Sequence, residues 1–136
     1  MFVDTGFFVA LLSERDPDHE RVLAVYETFQ GRRLSDLLLT TNHVVFETIN
    51  VARSRGGHAL AVEVGKILYS EKMARIHWST VAEEKEAFAY LARHADQGYS
   101  VVDCLSFVVM EQMEIREALA IDRHFTHRFI ARPGPG

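Results

Sequence analysis

Four carboxylates stand in apolar sequence, where an acid is placed for chemistry more than for solubility. Asp4 follows Phe2-Val3, and Asp122 follows Ala118-Leu119-Ala120-Ile121. Asp103 is set among Val101, Val102, Cys104 and Leu105. Glu47 lies in Val44-Val45-Phe46-Glu47-Thr48-Ile49, and a helix would put Val44 and Val51 on its face. Each acid also has a local reading. Asp4 and Asp122 can cap the turns after them, Asp103 can complete a capping box with Ser100, and Glu47 can be a solvated edge. Four acids against buried flanks exceed what capping alone would produce. Were they to converge, two carboxylates ~5 Å apart would repel by ~3 kcal/mol at an effective dielectric near ~20. Some must then keep protons, or a cation must sit among them. All-oxygen ligation selects a hard ion, Mg²⁺ or Mn²⁺. Such a centre generates a hydroxide-like nucleophile and clamps a phosphodiester, an arrangement that recurs in nucleases.

The elements that must position these acids follow from pattern. Phe2-Val3 reads as a short strand and Gly6 to Leu12 as a brief buried helix. Asp16-Pro17 is a helix-start signal, opening a segment with Val22, Tyr26 and Phe29 on one stripe. Leu37 to Thr41 reads as a second strand, with Asn42 placed to cap the helix that runs to about Arg53. After Gly56-Gly57 a helix carries Leu60, Val64, Ile67 and Leu68, and Arg75 to Trp78 is a third strand. Thr80-Val81-Ala82-Glu83 and Ser100-Val101-Val102-Asp103 have the form of capping boxes. The first opens a helix with Ala87, Phe88 and Leu91 as its stripe, and the second a helix through about Glu114. Ala118 to Ile121 is a fourth strand. Short strands joined through helices predict an α/β fold, a mostly parallel sheet covered on both faces. Its chemistry belongs beyond the carboxyl ends of the strands.

Composition sets the outer bounds. The chain has 136 residues, enough for one domain, read as residues 1–132 with 133–136 as a flexible tail. No apolar run approaches the ~18 residues of a membrane span. No basic region precedes the first apolar stretch, so no secretion signal is expected and the cytoplasm is the default compartment. Cys104 is the single cysteine, which excludes an internal disulfide and a multi-cysteine zinc site. Fifteen basic against nineteen acidic residues argue against gripping nucleic acid by bulk charge.

On these residues the chain resembles PIN-domain ribonucleases of the VapC-like kind, the toxins of toxin–antitoxin pairs. The matching blocks are Phe2-Val3-Asp4-Thr5-Gly6-Phe7-Phe8, Phe46-Glu47-Thr48, Tyr99 to Phe107, and Ile121-Asp122-Arg123-His124-Phe125. They fall in family order across nearly the whole chain. The resemblance implies a three-layer α/β/α sandwich with four or five strands, Phe129-Ile130-Ala131 adding the last. It implies an acidic cluster of Asp4, Glu47, Asp103 and Asp122 binding Mg²⁺ or Mn²⁺ to cleave RNA. Asp4 and Asp103 would be the principal ligands, Glu47 and Asp122 supporting ones, and Thr5 and Ser100 hydroxyls that orient carboxylates. Ala120 stands where many relatives carry Thr or Ser. Homodimerisation and neutralisation by a small antitoxin protein are also implied.

After Asp122 the chain holds only basic charges, and Arg123, His124 and Arg128 are candidate RNA contacts. His124-x-x-His127 is a weak zinc motif. Asp96 reads as surface charge or an outer ligand, Cys104 as a small buried residue, and Trp78 and the phenylalanines as mostly core. Two other functions compete: a catalytically silent domain of the same fold, and a dimeric aspartic protease built on Asp4-Thr5-Gly6. The protease class is nearly all strand, against at least five helical patterns here.

Overall fold

The computed structural model describes all residues 1–136. Five strands form one parallel sheet: β1 (Phe2–Val3), β2 (Leu39–Thr41), β3 (Arg75–His77), β4 (Glu117–Ala120) and β5 (Ile130–Pro133), in the order β3-β2-β1-β4-β5. Seven α-helices connect them: α1 (Thr5–Leu12), α2 (His19–Glu27), α3 (Leu34–Leu37), α4 (Asn42–Gly56), α5 (His58–Tyr69), α6 (Val81–Arg93) and α7 (Val101–Gln112). A 3-10 turn, Arg123–His127, joins β4 to β5. The α/β expectation holds, and a parallel sheet among helices leaves no room for an all-strand protease. No helix is long and apolar enough to cross a membrane.

The centre of the sheet explains where a site can form. β1 pairs with β2 on one side (Phe2 opposite Leu39) and with β4 on the other (Val3 opposite Leu119). The chain builds outward from β1 to β3, then crosses back to β4, so the strand order reverses beside β1. At such a switch point the connections diverge and leave a crevice at the carboxyl ends. Asp4 and Asp122 follow the two strands that border it. The core beneath is aromatic: Phe2, Phe7, Phe8, Phe107 and Phe125 are fully buried, and Phe107 meets Phe125 edge-on at 5.1 Å. Phe125 thereby anchors the turn that carries Asp122.

Several local expectations are corrected. Asp16 does not start α2. Its carboxylate accepts the Asp18 N–H at 2.9 Å and pairs with Arg55 at 3.0 Å, a local turn that competes with helix, so α2 begins at His19. Thr41, not Asn42, caps α4 by accepting the Val44 N–H at 3.2 Å, while Asn42 Oδ1 holds the Ser79 N–H. The run from Leu37 is divided, with Leu34–Leu37 helical and only Leu39–Thr41 extended. Trp78, Phe46 and Phe88 are more than half exposed, and Tyr90 takes the buried place on α6. Pro133 closes β5. Gly134 is held on both sides, its N–H by the Ala120 carbonyl and its carbonyl by Arg21, so it does not behave as tail.

Candidate active site

Each acid is positioned by a different local rule. Asp4 occupies the N-cap position of α1, yet its carboxylate makes no cap hydrogen bond and its residue is 5 % exposed. The capping reading of Asp4 therefore fails, and what remains is a buried acid. Glu47 projects from the second turn of α4 and is half-buried. Asp103 is the third residue of α7, where Ser100 N–H donates to its Oδ2 (3.1 Å) and its own N–H donates to Ser100 Oγ (3.0 Å). The capping box is thus real, and it orients Asp103. Asp122 accepts the His124 N–H on Oδ1 at 2.9 Å and heads the 3-10 turn.

Electrostatically, Asp4 is linked to each of the other three acids. Burial pushes the Asp4 carboxyl up to about 8, helped by the charge of Asp103 and, less strongly, by Glu47 and Asp122. The Thr5 backbone offsets only part of this. Burial also raises Glu47, with Asp103 adding to it. The Thr5 hydroxyl lies beside Glu47 and eases its ionisation, but Oγ1 makes no well-aligned hydrogen bond. That hydroxyl is the single buried side-chain polar atom so orphaned. No basic side chain pairs with Asp4 or Glu47. A crowded carboxylate cluster with an idle hydroxyl beside it suits a divalent cation, which would relieve the repulsion and draw the acids into order.

The tightest grouping is Asp103, Asp122 and His124, which bring one ligand atom each within 4.8 Å of one another. His124 enters the cluster itself, where the sequence suggested an RNA contact. Its Nδ1 lies 3.1 Å from Asp103 Oδ2 and 3.4 Å from Asp122 Oδ1. The fourth block, in which a histidine sits two residues after the acid, was the available signal. Sequence reasoning also gave Tyr99 no role of its own. It is buried, hydrogen-bonds His127 Nδ1 at 2.7 Å, and meets the His124 ring edge-on at 5.3 Å. His124 and His127 thus serve different partners and do not share one ligand set.

A PIN domain sequence profile matches residues 1–128. The chain belongs to the PIN-domain family. Over 126 residues it is 33% identical to the 23S rRNA-specific endonuclease VapC20 of Mycobacterium tuberculosis, covering 93% of this chain and 92% of that protein. It is 27% identical over 131 residues to a VapC ribonuclease of Archaeoglobus fulgidus, covering 96% and 81%. The crystal structure of M. tuberculosis VapC20, described as a sarcin–ricin loop cleaving toxin, superposes with a TM-score of 0.82 at 32% identity. That match covers 93% of this chain and 92% of the other. As a PIN domain the chain carries acids in all four blocks. Around them, Cys104 is buried and its thiol is pushed up to about 11 by burial and by Asp103, which makes it inert. Asp96 is exposed on the surface, bonded to Gln97. Arg128 is engaged away from the cluster, with Tyr90 and with Glu111 at 2.9 Å. Arg123 is exposed and has no side-chain partner.

Proposed function

We propose that this PIN domain is a divalent-metal-dependent endoribonuclease and the toxin of a toxin–antitoxin pair. The observation that carries the reading is Asp4, a fully buried carboxyl raised to about 8 among three other acids, with no basic side chain to pair with it. A protein has little reason to bury such a group except to hold a cation. Mg²⁺ or Mn²⁺ would be held by Asp4 and Asp103, with Glu47 and Asp122 supporting, and would supply an activated water and a clamp on the phosphodiester. The chain's own residues do the rest. Burial of Asp4 keeps solvent from screening the site, and the Ser100 capping box fixes the Asp103 carboxylate. The Thr5 hydroxyl is free to orient a carboxylate or a water. Arg123, exposed beside Asp122, would meet the RNA backbone. By kinship with VapC toxins, the chain pairs with itself as a homodimer and is neutralised by a cognate antitoxin protein.

The test is cleavage of RNA by purified protein, with a 23S rRNA sarcin–ricin hairpin tried first because a relative is named for that target. EDTA should stop cleavage and Mg²⁺ or Mn²⁺ should restore it. Cleavage that survives exhaustive chelation would remove the metal from the mechanism. Absence of cleavage across a broad RNA panel with Mn²⁺ present would favour a silent domain instead.

A further inference from the structure

His124 is the histidine grouped with Asp103 and Asp122, and its side chain is largely enclosed. Its side chain is 17% exposed. The ring nitrogen Nδ1 faces two carboxylate oxygens, Asp103 Oδ2 at 3.1 Å and Asp122 Oδ1 at 3.4 Å. Ionised carboxylates accept only, so the proton belongs on Nδ1. The backbone N–H of the same residue donates to Asp122 Oδ1 at 2.9 Å. One residue therefore ties together two acids that are nineteen positions apart in sequence.

The pattern of occupied oxygens gives this contact a purpose. Asp103 Oδ2 takes the Ser100 N–H and His124 Nδ1, which leaves Oδ1 without a protein donor. Asp122 Oδ1 takes the His124 backbone N–H, with Nδ1 3.4 Å away, which leaves Oδ2 without a protein donor. Each carboxylate is thus pinned by one oxygen and presents the other. Carboxylates that bind a cation need such outer hydrogen bonds, because without them like charges rotate apart. The imidazole is in turn held edge-on by Tyr99, whose hydroxyl is fixed by His127.

We propose that His124 is a positioning residue of the acidic site, its Nδ1–H holding Asp103 and its backbone N–H holding Asp122 so that one oxygen of each is left free for a cation. The proposal rests on the nuclease reading above and gives His124 a role that acts through the two carboxylates.

Amide substitutions separate this from other roles. Asparagine places an N–H donor near the Nδ1 position, glutamine places it one bond farther out, and phenylalanine keeps the ring and its Tyr99 contact but donates nothing. The readouts are Mn²⁺ affinity, measured by electron paramagnetic resonance of the free ion, and kcat for RNA cleavage measured apart from KM. His124→Phe is expected to lose about 10- to 100-fold in Mn²⁺ affinity and in kcat, with KM little changed. His124→Asn should recover most of both losses, and His124→Gln should not. If His124→Phe fails to fold, the asparagine and glutamine variants carry the same comparison. Full Mn²⁺ affinity in the phenylalanine variant, or in the glutamine variant where phenylalanine does not fold, would overturn the proposal. Equal losses in the asparagine and glutamine variants would do so too. A wild-type protein that binds no Mn²⁺ and cleaves no RNA would sink the nuclease reading first, and this role with it.

Discussion

Helices α6 and α7 begin with the same device and put it to opposite ends. Each opens on a hydroxyl residue that accepts the N–H of an acid three positions on: Thr80 and Glu83 in one, Ser100 and Asp103 in the other. Each acid is buried and each meets a histidine, Glu83 with His77 at 2.9 Å and Asp103 with His124 at 3.1 Å. What differs is the rest of the surroundings. Burial alone would raise the Glu83 carboxyl, but the Thr80 backbone N–H and His77 outweigh it and hold the group below its ordinary value. Both Glu83 oxygens lie within hydrogen-bond distance of His77, and Oε1 also takes the Thr80 N–H. Asp103 instead keeps an oxygen without a donor and faces Asp4, Glu47 and Asp122. In the function proposed above, the capping acid that serves as a ligand is the one whose second oxygen is left without a donor among other acids.

The comparison is broken most directly by neutralising each acid in turn. Asp103→Asn should reduce RNA cleavage by about 10²- to 10³-fold, the scale for losing one charge-stabilising group in a site. The fold should survive, since the amide oxygen can still accept the Ser100 N–H. Glu83→Gln should leave kcat within a few-fold and cost about 1–2 kcal/mol of stability. Similar kinetic losses in both variants would show that the two helix starts are not functionally distinct.

Asp4 sharpens the contrast through stability. Its folded carboxyl is raised to about 8 while the unfolded chain titrates near the ordinary value of 3.8. The unfolded state therefore sheds its proton first, and metal-free stability should fall as pH rises from about 4 to about 8. Glu83 acts in the other sense: its folded value is lowered, so its contribution is present above the ordinary carboxyl range and is lost as pH falls through the folded value. Asp4→Asn should flatten the decline between pH ~4 and ~8 and stabilise the metal-free protein near neutrality by a few kcal/mol. That corresponds to a Tm rise of about 5 °C or more. Thermal melts in EDTA across this range check it, and the same variant should fail to cleave RNA. A lower Tm at neutral pH would mean that the Asp4 charge is satisfied without a cation.

The candidate site is partly legible in the sequence because the residues proposed for it carry strong local signals. Strand-end acids after apolar runs place Asp4 and Asp122, and a hydroxyl-to-acid spacing of three places Asp103. What it did not convey were consequences of contacts between distant segments. His124 joins the cluster only because Phe125, buried against Phe107 and Phe2, pins the turn in place. Asp16 looks like a helix cap until Arg55, thirty-nine residues on, is seen to pair with it. The same is true of the chain end, where a Pro-Gly pattern reads as tail but Arg21 and Ala120 hold Gly134. Trp78 was expected in the core on size, yet it lies exposed at the carboxyl end of β3, stacked on Tyr69 at 6.3 Å.

A smaller contrast runs along α7 itself. The basic residues that follow Asp122 look alike in sequence, but the helix separates their surroundings. Asp103 and Glu111 are eight residues apart, so about 12 Å of helix divides the acidic cluster from the ion pair that holds Arg128. Arg128 is also bonded to Tyr90 and stands over its ring at 5.6 Å. Arg123, next to Asp122, is exposed with no side-chain partner. Arg123→Ala should therefore raise KM for RNA a few-fold and leave Tm unchanged. Arg128→Ala should leave KM unchanged and lower stability by about 1 kcal/mol, the scale for an exposed ion pair with a cation–π contact. Steady-state cleavage and thermal melts on the two variants decide it. A KM increase confined to Arg128→Ala would move the RNA path from the crevice to the far end of α7.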